Sequence, residues 1–279
     1  ISMLLDINSL SIDDIKKLDS LSSQIQPDFN KISKKIYKNL DNNIGSKISN
    51  IISRNNHQSE LFKNCLMLEF ISQKISDNDS INKVVVKDNK LIKILSKRFR
   101  HIKFVSKSGF FENIKTSIRP IKDLINNLIF SFRMYLAKDP SRLKKINFNN
   151  EHILIDTFIL ENSLNKKFYV DRYYPNILNF VSKNLKKNIF FIPSIYGNYN
   201  KKLLNEIKCN SNENIIFKTD FLSSKDYINS FISQSFRIYN PSKIIFREYD
   251  ISDLIKHEFK LNRFNTSAFE GLLNYYFIK

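Results

Sequence analysis

The sequence predicts an α/β protein in which a mostly parallel sheet carries helices on both faces and is preceded by a helical N-terminal region. From Val84 onward, short runs rich in β-branched and aromatic residues alternate with segments whose apolar residues recur every three or four positions. The run 153–159 is too apolar for a strand with one solvated face, as expected when helices cover both faces. A chain of 279 residues is long enough to build such a domain.

The N-terminal part of the chain has a mainly helical pattern. Ser11, followed by two aspartates, is typical of a capped helix start. Apolar residues at helical spacing predict further helices between residues 27 and 75. We therefore divide the chain into a helical region, residues 1–76, packed on the rest, and an α/β domain, residues 77–279.

The α/β domain begins with a β-α-β unit. Its strands are predicted at 84–86 and 102–105, with a helix at 90–99 between them. Further strands are predicted at 153–159, 188–192, 214–217 and 243–246, separated by helical patterns that include 173–185. Because strands that alternate with helices form parallel sheets, we expect the strands that begin near Val84, Ile102, Ile153, Ile189 and Ile215 to share one sheet.

The charge of the chain is strongly positive. Lysine and arginine total 45 against 27 acidic residues, which gives a formal net charge of +18. Nucleic acid, an anionic membrane surface or a polyanionic substrate would each attract such a chain. The lysines are spread through every segment, however, which favours a compositional origin over one concentrated binding surface.

The sequence lacks the signature motifs of several classes of protein. Cys65 and Cys209 stand apart, and the four histidines do not have the spacing of metal ligands, so no metal site is predicted. Glycine-rich phosphate loops and the serine elbow of hydrolases are missing. No apolar run approaches the roughly 18 residues of a membrane span. Residues 77–79 match the DxD pattern of metal-dependent transferases, but they precede a predicted strand, and we interpret them as a polar turn.

The longest helical pattern runs from Ile114 to Lys138 and is both amphipathic and basic. Its apolar positions are Ile114, Ile118, Ile121, Ile125, Leu128, Phe132 and Tyr135. Its basic positions are Lys115, Arg119, Lys122, Arg133 and Lys138. Such a stripe is most often the core-facing side of a surface helix. The alternative is a helix that lies on an anionic membrane.

The order of segments resembles bacterial surface-carbohydrate biosynthesis proteins, which are glycosyltransferases of the two-domain GT-B type. The resemblance rests on the strand VVV after a long helix, the long basic helix, and the segments ILIDTFI, DRYYPNIL, IFFIPSIYG, TDFLSSKDYI and YDISDLIKHEF before LLNYYF. It covers most of residues 60–279 and implies that residues 77–279 form a Rossmann-like domain. It also implies a second, nucleotide-binding domain. The chain starts at Ile1 and stops inside a predicted helix at Lys279, so we expect it to be a fragment that lacks that domain.

In a GT-B protein the acceptor binds at the loops that leave the carboxyl ends of the parallel strands. The resemblance therefore implies a site formed by Asp156, Asp171, Arg172, Tyr196 and Asp220. Asp156 would be catalytic, because a carboxylate can accept the proton of the attacking sugar hydroxyl. The other four would bind substrate. Three of these four also have a structural alternative: a helix cap for Asp171, its ion partner for Arg172 and a turn former for Asp220.

The sequence leaves two positions possible for Asp156 relative to its strand. A strand buried on both faces cannot hold an unpaired carboxylate at its centre. Either Asp156 lies at the carboxyl end of the strand, or Thr157 and Phe158 already belong to a loop.

The function implied by the resemblance is the acceptor-side half of a glycosyltransferase in surface polysaccharide biosynthesis. It would work in the cytoplasm, at the inner face of the membrane, with a sugar or lipid-linked glycan as acceptor. No cofactor is expected on this chain, and the nucleotide-sugar donor would belong to the full-length protein. The alternative is a noncatalytic nucleic-acid-binding protein, suggested by the charge alone, whose positive residues would gather on one face.

Overall fold

The computed structural model describes residues 3–40, 44–49, 59–107, 110–145, 151–160, 173–174, 177–196, 201–209, 214–235, 239 and 241–279. The strands are β1 (Met3–Asp6), β2 (Ile81–Val86), β3 (Lys103–Ser106), β4 (Ile153–Leu160), β5 (Ile189–Tyr196), β6 (Ile245–Phe246) and β7 (Tyr249–Asp250). The helices are α1 (Ile12–Asn39), α2 (Ile44–Lys47), α3 (Leu61–Asp77), α4 (Asn89–Arg98), α5 (Phe110–Ala137), α6 (Lys183–Lys186), α7 (Lys201–Cys209), α8 (Lys218–Phe221), α9 (Ser224–Ser235), α10 (Ser252–Leu261) and α11 (Thr266–Ile278). Turns of 3-10 helix lie at Pro140–Lys145 and Ile177–Phe180. The predicted α/β class is confirmed.

The chain forms two compact units. Unit 1 comprises Ile1–Leu124 and Phe231–Phe269, and unit 2 comprises Ile125–Ser230 and Glu270–Lys279. The boundary predicted at residue 76 lies inside unit 1. The reason is that β1 pairs with β2 and α1 packs on α3, so the N-terminal region shares the sheet and the core of the residues that follow it.

Unit 1 is built on a parallel sheet in the order β1, β2, β3. Helix α1 starts where the sequence predicts, because Ser11 and Asp14 form a reciprocal capping box. The helix then turns one apolar stripe toward the core at spacings of three and four. That stripe consists of Leu21, Ile25, Phe29, Ile32 and Ile36.

Unit 2 contains a second parallel sheet. Strands β4 and β5 pair along their full lengths. An isolated parallel bridge between Phe191 of β5 and Ile215 adds one residue of a third chain segment to this sheet. One face buries Thr157, Ile159 and Phe191. The other face carries a small apolar cluster, formed by Phe190, Ile192 and Ile216 together with Phe221 of α8 and Phe277 of α11.

The prediction of one common sheet is wrong. The strands at Val84 and Lys103 belong to the sheet of unit 1, whereas those at Ile153 and Ile189 belong to the sheet of unit 2. Alternation along the sequence predicts parallel pairing, but it does not specify which strands pair with each other.

Two local predictions also need correction. Burial of β4 on both faces is wrong for its first residues, because Ile153 and Leu154 are each about half exposed. The predicted helix 173–185 is replaced by the 3-10 turn Ile177–Phe180 and the short α6, neither of which buries a side chain. A helix gains most of its stability from burying an apolar face, which explains why this pattern does not form a longer one.

A hairpin of β6 and β7 ties two helices of unit 1 together through Arg247. This residue has φ 51°, in the left-handed region, at the turn between the two strands. Its guanidinium lies 3.3 Å from Asp28 Oδ2 of α1 and 2.6 Å from Glu69 Oε1 of α3. The left-handed backbone costs free energy in any residue other than glycine, and the two ion pairs offset that cost.

We expect Arg247→Ala to lower the free energy of unfolding by about 1–3 kcal/mol, because it leaves the largely buried Glu69 without its cation. Arg247→Gly loses the same pairs but relieves the backbone, so it should be about 1 kcal/mol more stable than the alanine variant. Urea unfolding measures both values, and Arg100→Ala, at an exposed residue, is the control. Equal stability of the glycine and alanine variants would contradict a left-handed turn.

Candidate functional site

A polar cluster in unit 2 joins two strands to a short helix. Lys218, the first residue of α8, places its Nζ 3.2 Å from Asp156 Oδ1 and donates to Ser194 Oγ at 3.1 Å. Asp156 is opposite Ile192 in the register of β4 and β5, and Ser194 follows two residues later on the same face. The parallel register therefore brings a carboxylate and a hydroxyl to one ammonium group.

The two charged members of this cluster differ in exposure. The side chain of Lys218 is 15% exposed, whereas that of Asp156 is 71% exposed. A cation that leaves water needs partners, which Asp156 and Ser194 supply, and Glu270 of α11 lies within electrostatic reach. The carboxylate of Asp156 keeps open lone pairs and can accept hydrogen bonds from the hydroxyl groups of a ligand.

Neither of the two predicted positions of Asp156 is correct. Asp156 lies at the middle of β4 rather than at its carboxyl end. The alternative, that Thr157 and Phe158 belong to a loop, is wrong because both pair with β5. Solvent exposure and Lys218 together make this position tolerable for a carboxylate.

Three of the predicted substrate-binding residues cannot be placed around Asp156. Asp171 and Arg172 lie outside the described residues. Tyr196 is the last residue of β5, and only its backbone is described. Their roles stay predictions.

Asp220, the remaining predicted residue, is buried. It lies in α8 with 2% of its surface exposed and accepts a hydrogen bond from the backbone N–H of Asp139 at 2.9 Å. This burial speaks against direct contact with a ligand, and Asp220 is not the predicted turn former, because it lies within α8 and accepts a bond from a residue 81 positions away. The bond instead ties α8 to the chain that follows α5.

Lys218 and Ser194 were not among the residues singled out from the sequence. One lysine cannot be distinguished among 45 basic residues by composition. The available signal was its position directly after the predicted strand 214–217, because ligand-binding groups of α/β proteins often follow strand ends.

We expect Asp220→Ala to destabilise unit 2 locally by about 1–3 kcal/mol, since it removes the acceptor of a buried N–H. Hydrogen exchange of a peptide that contains Asp139 should accelerate accordingly. The control is Glu206→Ala on α7, whose exposed ion pair with Lys202 should contribute less than about 1 kcal/mol. Unchanged exchange in the Asp220 variant would show that this carboxylate is not structural.

Helix α5 presents a second candidate surface, because its large apolar side chains face solvent and polar side chains lie on its buried side. The side that faces the protein buries Asn127, Ser131, Met134 and Ala137, of which two are polar. The opposite side exposes large apolar side chains, and we call it the α5 apolar face. Its members are Ile118, Ile121, Ile125, Leu128, Ile129, Phe132, Tyr135 and Leu136.

The more common interpretation of this helix, a stripe turned toward the core, is therefore wrong. Every apolar position of the predicted stripe whose side chain is described is exposed, including Phe132 at 63%. Lys122 and Arg133 lie on one flank of the α5 apolar face at helical spacing. Contiguous apolar patches of this kind mark surfaces that bind a partner or a membrane.

The motif Asp77-Asn78-Asp79 forms the polar turn that the sequence predicts. Asp77 ends α3 and pairs with Lys17 at 2.7 Å. Asn78 Oδ1 accepts hydrogen bonds from the backbone and hydroxyl of Ser80, just before β2. Within the described ranges, no three His, Cys, Asp or Glu side chains come together as a group that could hold a metal ion.

No protein-family model, curated protein or solved structure matches this chain. Among the residues that the structure describes, no helix has both the length and the hydropathy needed to cross a membrane.

Proposed function

We propose that this protein lies on an anionic membrane surface through α5 and there holds the glycan acceptor of a GT-B-type glycosyltransferase. The outward orientation of the α5 apolar face carries the first part of this proposal. Exposing eight large apolar side chains to water is costly, so an occupant that removes them from water would be bound favourably. An in-plane helix achieves this without spanning the bilayer.

Charge favours a lipid surface as the occupant. Lys122 and Arg133 flank the apolar face, and the chain as a whole carries +18. Basic residues at an anionic membrane contribute about 1 kcal/mol each, in addition to the burial of apolar surface. The 28 residues of α5 extend over about 42 Å, enough to lie along the interface.

We expect the variant Ile125→Glu with Phe132→Glu to lower binding to phosphatidylglycerol vesicles by at least about tenfold, because two carboxylates would have to enter the apolar region. Vesicle flotation measures the effect. The matched control is Ile12→Glu with Ile15→Glu, two equally exposed isoleucines on α1, and this variant should bind as the wild type does.

Lipid charge and salt provide a further test of the same surface. Wild-type binding should fall when the vesicles are pure phosphatidylcholine and when salt is raised, since salt screens exposed charges. Binding that changes neither with lipid charge nor with salt concentration would overturn the proposal. If the wild type instead self-associates and the α5 double variant becomes monomeric without any vesicle binding, a second copy of the chain covers the face.

The acceptor-binding part of the proposal is supported by Asp156 and by the α/β organisation of the chain. The exposed carboxylate could accept the proton of a sugar hydroxyl as that hydroxyl attacks. Lys218 would hold the carboxylate in position, at 3.2 Å. The α/β class and the parallel strands are also compatible with the resemblance to GT-B proteins. A lipid-linked glycan at the same membrane would be the natural acceptor.

We expect Asp156→Ala to abolish detectable binding in saturation-transfer NMR with a panel of bacterial oligosaccharides, because it removes the hydroxyl acceptor. Lys218→Met should weaken binding less, as its role is positioning. Glu206→Ala, at another exposed carboxylate of unit 2, is the control and should bind normally. Equal binding by the Asp156 variant and the wild type would contradict the assignment. If no glycan binds and generic DNA binds with steep salt dependence, the nucleic-acid alternative is favoured.

A further inference from the structure

A cleft of about 520 Å³ lies in unit 1 between α4 and α10. Small-molecule sites in proteins commonly have volumes of about 300–1,000 Å³, so the cleft is large enough for a compact ligand. Its lining combines one face of each helix. The basic members of that lining are Lys90, Lys93, Lys97, Lys256 and Lys260.

The charges in this cleft do not balance. Among the lining residues, five lysines are opposed by Asp250 and Asp253, which leaves three positive charges when His257 is neutral; Asp88 and Glu258 act on Lys90 from outside the lining. Asp253 pairs with Lys93 at 3.0 Å, and the carboxylate of Asp250 accepts hydrogen bonds from the backbone N–H and the hydroxyl of Ser252. Both lining carboxylates thus have partners other than Lys90, which shares the cleft with His257 and Lys260.

Within the cleft, Lys90 of α4 faces His257 and Lys260 of α10. Burial lowers the pKa of the Lys90 ammonium, the attraction of Asp88 and then of Glu258 opposes this effect, and repulsion from Lys260 is the smallest of the four influences. Burial and the charge of Lys90 lower the pKa of His257 to about 4, with Lys260 acting in the same direction and Asp88 against it. Burial therefore disfavours the charged forms of both Lys90 and His257 in this part of the cleft.

We propose that the cleft between α4 and α10 binds a small anionic ligand through phosphoryl groups, with Lys90, His257 and Lys260 as its main contacts. Clusters of like-charged side chains in clefts are typical of binding sites, because a ligand of opposite charge neutralises them. A phosphoryl group fits this chemistry, since lysines bind it as point charges and a neutral imidazole can donate one hydrogen bond.

The position of α4 in the fold supports the same assignment. Asp88 caps the helix directly after β2, so Lys90 lies at the carboxyl edge of the parallel sheet of unit 1. Ligands of α/β proteins commonly bind at this edge. The lining residues of the cleft are polar apart from Ile94. This favours a compact, highly charged ligand over one with a large apolar part. This site is independent of the acceptor site proposed in unit 2.

The test uses inorganic pyrophosphate as the probe and the whole chain. Calorimetry gives its affinity, and the NMR signal of the His257 ring reports its location. We expect bound pyrophosphate to raise the pKa of His257, because a nearby anion stabilises the imidazolium. Lys90→Gln with Lys260→Gln should weaken binding by at least about tenfold. Lys34→Gln with Lys35→Gln, on exposed positions of α1, removes the same net charge and should weaken it less than about twofold.

Stability provides a second readout that separates a binding site from a structural one. Because burial disfavours the charge of Lys90, the cleft variant should unfold at the same temperature as the wild type or higher, while its affinity falls. Equal losses of affinity in the cleft and α1 variants would overturn the proposal, as would an unshifted His257 signal at saturating pyrophosphate. Binding of long DNA with no competition from pyrophosphate would also overturn it.

Discussion

A positive side chain that leaves water needs a partner, and this constraint governs much of the structure. The chain has 45 basic residues and 27 acidic ones, so carboxylates are the scarce group. Two cations that hold parts of the fold in position lie beside carboxylates. Arg247 contacts Asp28 and Glu69 in unit 1, and Lys218 contacts Asp156 in unit 2. These contacts hold a turn and a helix in place because breaking them would leave partly buried charges unpaired.

Two other features of the surface gather positive charge. The cleft between α4 and α10 collects lysines that its two aspartates do not neutralise. The flank of α5 carries Lys122 and Arg133 beside an exposed apolar face. The two features differ in chemistry. The cleft offers charge in a confined volume, which suits a compact anion, whereas α5 offers apolar area edged by charge, which suits a lipid surface.

Together, the proposals describe a protein that acts where anionic lipids and phosphorylated molecules meet. A membrane-bound α5 would keep unit 2, with Asp156 and Lys218, close to lipid-linked molecules, and a phosphoryl-binding cleft in unit 1 would add a second ligand. Each proposal depends on a different set of residues, so each can fail without the others. The α5 apolar face has the most direct physical basis, because an exposed stripe of this size is unusual for a helix of a globular protein.

The sequence by itself determined the α/β class, the positions of most strands and the long helices, because periodicity and capping are local properties. Ser11 with its aspartates marked the start of α1, and the apolar spacing marked α5. Only the tertiary structure decided which strands pair, and it separated Val84 from Ile153 into two sheets. It also decided which side of α5 faces inward, since periodicity shows that a helix is amphipathic but not what covers its apolar face. The contact between Asp156 and Lys218 joins residues 62 positions apart, and only the folded chain brings them together.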